Sequence, residues 1–162
     1  MNYWVVKGKP GLVEWGTWLR RGKTKHTRTK RPPKDASKGD RLFWWKSTPA
    51  CRVVGLGQLV SVTEEPDSSG RHLIKVKHLT DEYSRPIPME ALRKVPGLGK
   101  ASFLHSGHQA TFYRLSQQDG ELLYQLCTAA SPHYKPWRDI SSSSVSRSAW
   151  QRIRGFLDQG AA

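Results

Sequence analysis

A chain of 162 residues carrying 27 Lys and Arg against 13 Asp and Glu has a formal net charge of +14, which makes one domain the default and a polyanion the expected partner. Two cysteines, Cys51 and Cys127, lie outside any CxxC spacing, which excludes a disulfide framework and the usual zinc sites; reduced thiols, no metal and no cofactor are expected. The apolar run at the start is too short for a signal peptide and none approaches a membrane span, so the expectation is a soluble cytoplasmic protein without a membrane partner.

Asn2 to Lys7 is aromatic and β-branched, ends at Gly8-Lys9-Pro10-Gly11, and reads as an opening strand. Leu12 to Leu19 has helix-like spacing interrupted by Gly16, which leaves a short helix or an irregular segment. Arg20 to Lys34 carries Arg20, Arg21, Lys23, Lys25, Arg28, Lys30 and Arg31, has no acid, and reads as a loop. Its cations are suited to phosphate contact through charge and counterion release; a solvated loop with no task is the plain alternative.

After the Lys38-Gly39-Asp40 turn, Arg41 to Ser47 alternates Leu42 and Trp44 on one side with Phe43, Trp45 and Ser47 on the other, so a strand covered on both faces is expected. Val53 to Val62 is the next strand, with Gly55 and Gly57 marking a bulge, a bend or a close backbone approach. Glu64 to Gly70 is a hairpin loop. Arg71 to Leu79 alternates Leu73, Lys75, Lys77 and Leu79 against His72, Ile74, Val76 and His78. Met89 to Val95 is a short helix and Ala110 to Leu115 a strand. A helix then runs to about Cys127, with Ser116 as its N-cap. Residues 1–128 form the domain. Residues 129–162 are a loosely attached Ser- and Pro-rich linker and a terminal helix, which is free to dock on the domain or on a protein partner.

Nothing in this order points to catalysis. The acids sit in turns, no nucleophile elbow or phosphate loop is present, and His105 and His108 form a His-x-x-His spacing in a loop without further ligands. A binding site is better supported. A ring beside a cationic segment can stack a base at about 1–3 kcal/mol while the cations hold its backbone. Trp45 offers a face and Ser47 an edge contact for a base swung out of its helix, and Trp45 is equally readable as a core tryptophan.

Trp18, the basic stretch, Lys38 to Ser47 and Val53 to Val60, taken in that order, resemble the EVE domain family of the PUA-like superfamily, which also contains YTH domains. Asn2 to Val6 resembles the family's first strand, and Arg85-Pro86-Ile87-Pro88 with Phe103 and Ala110 to Ser116 resembles its second half. The resemblance covers about residues 2–127. It implies an α+β fold, a PUA-like small pseudo-β-barrel of five to six short strands with flanking helices. It also implies no enzymatic activity, and an aromatic pocket that holds a modified base, such as a methylated cytosine or adenine, in DNA or RNA. Trp45 and Ser47 match the family's aromatic-x-Ser strand ending, Trp18 the tryptophan before the basic segment, and Trp4 the aromatic of the first strand; Phe43 shares the side of Trp45. Two other classes remain: an RNA-binding module without modification preference, and an ASCH-like nucleoside or RNA hydrolase, for which Lys46 and Asp40 are the nearby candidates.

Overall fold

The structure, a computed structural model, describes residues 1–7, 18–47, 51–105, 111–140 and 144–160. Most of the Leu12 to Leu19 segment, the connection 48–50 and His108 lie outside the described residues. The strands are β1 (Tyr3–Lys7), β2 (Thr24–Thr29), β3 (Arg41–Lys46), β4 (Arg52–Val62), β5 (His72–His78), β6 (Ile87–Pro88) and β7 (Phe112–Leu115). They form one open mixed sheet in the order β2-β5-β4-β3-β1-β7, with β6 pairing against β4. Among the described residues β1 and β3 pair in parallel and the other pairs are antiparallel. Among the described residues the α-helices include α1 (Met89–Arg93), α2 (Gln117–Ala130) and α3 (Ser144–Gly160), and Ser102–Leu104 is a 3-10 turn. The architecture is an α+β small pseudo-barrel whose two outer strands, β2 and β7, are not joined.

The alternation in β3 divides the interior. Leu42 and Trp44 enter a core lined by strands, with Trp4, Val6, Leu59, Ile74, Val76 and Leu19. Phe43 and Trp45 enter a second core covered by helices, where Leu92 of α1, Leu123 of α2 and Ile153 of α3 meet them. The strand is therefore covered on both faces, which is why both sets of its side chains are large and apolar. Gly57 shows what a glycine in β4 is for: a Cβ there would lie 2.7 Å from the Trp44 indole nitrogen, so the ring rests on bare backbone. Ser116 caps α2 as the sequence predicts, its hydroxyl accepting the Asp119 backbone N–H at 3.0 Å.

Two expectations change. The basic segment is not simply a loop: Thr24–Thr29 is an edge strand paired with β5 over its whole length. Thr24, Thr27 and Thr29 are β-branched and suit a pleated surface, while the intervening cations keep an exposed edge from pairing with another chain. The segment after α2 is not loosely attached. Trp137 is buried, with its ring 5.3 Å from Phe43 and 4.7 Å from Tyr124, and its backbone N–H donates to the Tyr124 hydroxyl at 3.1 Å. Arg41, also buried, stacks over Trp137 at 5.1 Å and donates to Asp139 and to the Tyr3 hydroxyl. A large ring and one clamped cation anchor a stretch that is otherwise Pro-rich and polar. Ala149 and Ile153 of α3 belong to the same helix-covered core.

Candidate nucleic-acid interface

The structure brings Trp18 together with Trp44 and not with Trp45. The Trp18 and Trp44 rings meet edge to face with centroids 4.9 Å apart. His78, the last residue of β5, completes the group at 4.4 Å from Trp18 and 5.3 Å from Trp44. Trp18 is half-buried and presents the accessible edge of the cluster, whereas Trp44 and His78 lie behind it, fully covered.

His78 is the unusual member. Both of its ring nitrogens are buried and neither has a hydrogen-bond partner among the described residues. Burial, with the Lys25 charge acting in the same direction, pushes its pKa down to about 4. At neutral pH it is therefore an uncharged imidazole with one donor and one acceptor unspent. Leaving such a group unmatched in a folded protein carries a desolvation cost of about 1–3 kcal/mol, so it calls for an explanation.

The cations stand beside this group. Arg20, Arg21, Lys23, Arg28, Lys30 and Arg31 are exposed, and Lys25 is half-buried. Gly22, with φ of 80°, closes a turn in which the Lys23 N–H donates to the Arg20 carbonyl at 3.1 Å. The Gly22 N–H donates to the His78 carbonyl, and the His78 N–H to the Lys23 carbonyl, which ties the start of the basic strand to the ring cluster. On the outward face of the β2–β5 ribbon, His26 stands opposite Lys75 and Thr24 opposite Lys77. Arg28 makes a 3.9 Å ion pair with Asp67, an exposed contact screened by solvent and easily given up to a phosphate.

The other proposed base-contacting residues sit elsewhere. Trp45 is 0 % exposed, packed edge to face on Phe103 at 5.5 Å, with the Lys7 ammonium 5.3 Å from its ring. Burial lowers the Lys7 pKa, and its ammonium donates to the Phe103 carbonyl at 2.8 Å. The Trp45 indole nitrogen and the Ser47 hydroxyl are both buried without a hydrogen-bond partner among the described residues. Phe43 is shut beneath Trp137. Trp4 is a core residue whose indole N–H donates to Asp40 at 3.0 Å. Asp40 also accepts the backbone N–H groups of Asn2 and Ser37, both at 2.9 Å. Lys46, at the far end of β3, pairs with Glu82 at 3.3 Å. Asp40 and Lys46 are separated by the length of a six-residue strand, roughly 20 Å, so they do not converge on one site.

Sequence reasoning did not single out His78, Trp44, Lys75 and Lys77, which the structure places in the ring cluster or on the strand beside it. The signal for His78 was a histidine in phase with Ile74 and Val76, on the apolar side of its strand. That for the lysines was their common side in the same alternation. Among the described residues no three His, Cys, Asp or Glu side chains are grouped to hold a metal, and no helix is long and apolar enough to cross a membrane.

No protein-family model matches the sequence, and no curated protein matches it. Solved structures do match the fold. Rpa0253 from Rhodopseudomonas palustris is 16% identical with a TM-score of 0.62, over 85% of this chain and 99% of that one. A hypothetical protein from Leishmania major is 14% identical with a TM-score of 0.62, over 82% and 97%. The DUF55 domain of human thymocyte nuclear protein 1 is 12% identical with a TM-score of 0.55, over 75% and 95%. At these identities the likeness is one of fold: the chain shares the small α+β pseudo-barrel of these proteins, and that fold together with a buried aromatic cluster is compatible with a nucleic-acid-binding module.

Proposed function

We propose that the chain is a non-catalytic, cytoplasmic nucleic-acid reader that holds a flipped, modified base of DNA or RNA against the Trp18, Trp44 and His78 cluster while the β2 cations hold the flanking phosphates. One observation carries this reading: His78 packs against two tryptophans with both ring nitrogens unpartnered among the described residues, directly beside an exposed cationic strand. A base supplies what each part lacks. Its π-face stacks on an indole, and its edge offers a donor and an acceptor to a neutral imidazole. The charge on β2 and β5 then supplies a salt-dependent, sequence-independent share of the affinity. Trp18 is the ring that must move or open to admit the base, since Trp44 and His78 are covered.

The test is a fluorescence-anisotropy panel of DNA and RNA oligonucleotides that differ only in one modified base, titrated at two salt concentrations. The expected result is salt-dependent binding with a preference of about tenfold or more for one modification, equivalent to about 1.4 kcal/mol. Equal affinity for all bases would leave an RNA- or DNA-binding module without modification preference, and no binding at low salt would sink the reading. Chromatography of the recovered oligonucleotides should return them unchanged; released base or cleaved strand would point to the hydrolase class instead.

A further inference from the structure

The C-terminal part of the chain builds a second feature that the ring cluster does not use. A groove of about 870 Å³ runs between α2, the segment Ser131–Ile140 and the start of α3. Arg21, Lys135, Arg138 and Arg147 line it, all four are exposed, and among the described residues no Asp or Glu lines it. Aromatic side chains are interleaved with these cations: Tyr134 and Trp150 are half-buried in its wall. The Arg21 guanidinium lies 5.7 Å from the Tyr134 ring centre, and the Tyr134 hydroxyl donates to Asp81 at 3.3 Å, which fixes the ring. Asp81 also accepts the Arg21 backbone N–H at 2.8 Å, so this carboxylate is already engaged.

The groove meets the basic segment at Arg21. Leu79 lines the groove from the helix-covered side of the sheet, whereas His78, the residue before it, packs against Trp18 and Trp44 on the other side. Arg21 lines the groove and also belongs to the turn that opens the basic strand. A strand of nucleic acid held by the β2 cations can therefore continue past Arg21 into the groove, whose lining has no Asp or Glu among the described residues.

We infer that this groove holds the sugar-phosphate backbone of the single-stranded stretch flanking the base, with Lys135, Arg138 and Arg147 on phosphates and Tyr134 and Trp150 offering faces to unpaired bases. The occupant is single-stranded because rings between cations reward bases whose faces are free, and a duplex has none to offer. This rests on the reading proposed above and extends it: the C-terminal segment is part of the binding surface, not only a cover for the core.

The experiment compares the full wild-type chain with the Arg138→Gln/Arg147→Gln double variant and with Lys135→Gln. The probes are mixed-sequence DNA single strands of about 4 and about 12 nucleotides that share the same central base. The longer strand should bind more tightly to wild type. The double variant should weaken it about tenfold at low salt and reduce the magnitude of its log–log salt slope by about 1.4, at roughly 0.7 for each phosphate no longer neutralised. Lys135→Gln should give about half that slope change, and the short strand should be unaffected by either. All three side chains are exposed, so melting temperatures should match and serve as the control. Unchanged slope and affinity for the long strand, or equal weakening of both strands, would overturn the groove while leaving the base-binding reading intact. No binding of either strand by wild type, with the DNA strands and with RNA strands of the same sequence, would overturn both.

Discussion

Trp44 and Trp45 are neighbours in one strand and have opposite circumstances. Trp45 faces the helices, with Phe103 against its ring and Lys7 over it, and is fully covered. Trp44 faces the strand-lined core, where its outer neighbour is the half-buried Trp18 and its other is the imidazole of His78, unpartnered among the described residues. The sheet's period of two puts adjacent rings on different sides. What separates the two rings is then what lies over each side. Helices close one face of β3, and Trp18 beside a cationic edge strand closes the other over Trp44.

The largest test of this contrast is stability. Trp45→Ala should cost about 3–5 kcal/mol in urea unfolding, the usual range for removing a buried Trp, whereas Trp18→Ala should cost about 1 kcal/mol or less. The reverse order would mean that the faces are exchanged. Next is the pH response of His78. Its folded pKa of about 4 lies below the ordinary value of 6.5, so the unfolded chain binds the extra proton first. The stabilisation is fully present above pH 6.5 and is lost as pH falls toward 4, by up to about 3 kcal/mol. His78→Phe should remove that part of the slope from melting temperatures measured between those limits; an unchanged slope would mean the imidazole is not held neutral by burial.

Gly57→Ala ranks below these. A methyl 2.7 Å from the Trp44 indole nitrogen should cost about 1–3 kcal/mol through overpacking. Pairing it with Trp44→Leu should recover part of the loss, a coupling that a double-mutant cycle measures. Additive costs would mean that Gly57 is not there to seat Trp44. The smallest expected effect is Arg28→Gln: its exposed pair with Asp67 is screened by solvent, so stability should hold while nucleic-acid affinity falls at low salt.

Much of this fold was legible in the chain. The β3 alternation announced a strand covered on both faces, the β4 glycines announced a close approach, and Ser116 announced the start of α2. The basic strand was harder to read because charge density masked its pattern: Lys25, Arg28 and Lys30 suggest a loop, and the β propensity of Thr24, Thr27 and Thr29 shows only once β5 provides a partner. Trp137 was hidden for a related reason. Its setting of Ser and Pro residues looks like linker, and its burial depends on Phe43, Tyr3 and Arg41, about a hundred residues earlier in the chain. The site suffered most. Alternation correctly separated Trp44 from Trp45, but it carries no information on which side the helices dock, and Trp18 pairs with Trp44 through a contact that only the tertiary fold creates.

The most direct measurement sets two variants side by side on the oligonucleotide that wild type prefers: Trp18→Ala and Trp45→Phe, the latter keeping a ring in the helix-covered core. Trp18→Ala should lose the preference for the modified base while keeping the salt slope, and Trp45→Phe should keep both. A preference that survives Trp18→Ala and disappears in Trp45→Phe would place recognition on the other face of β3 and contradict the assignment to Trp18, Trp44 and His78.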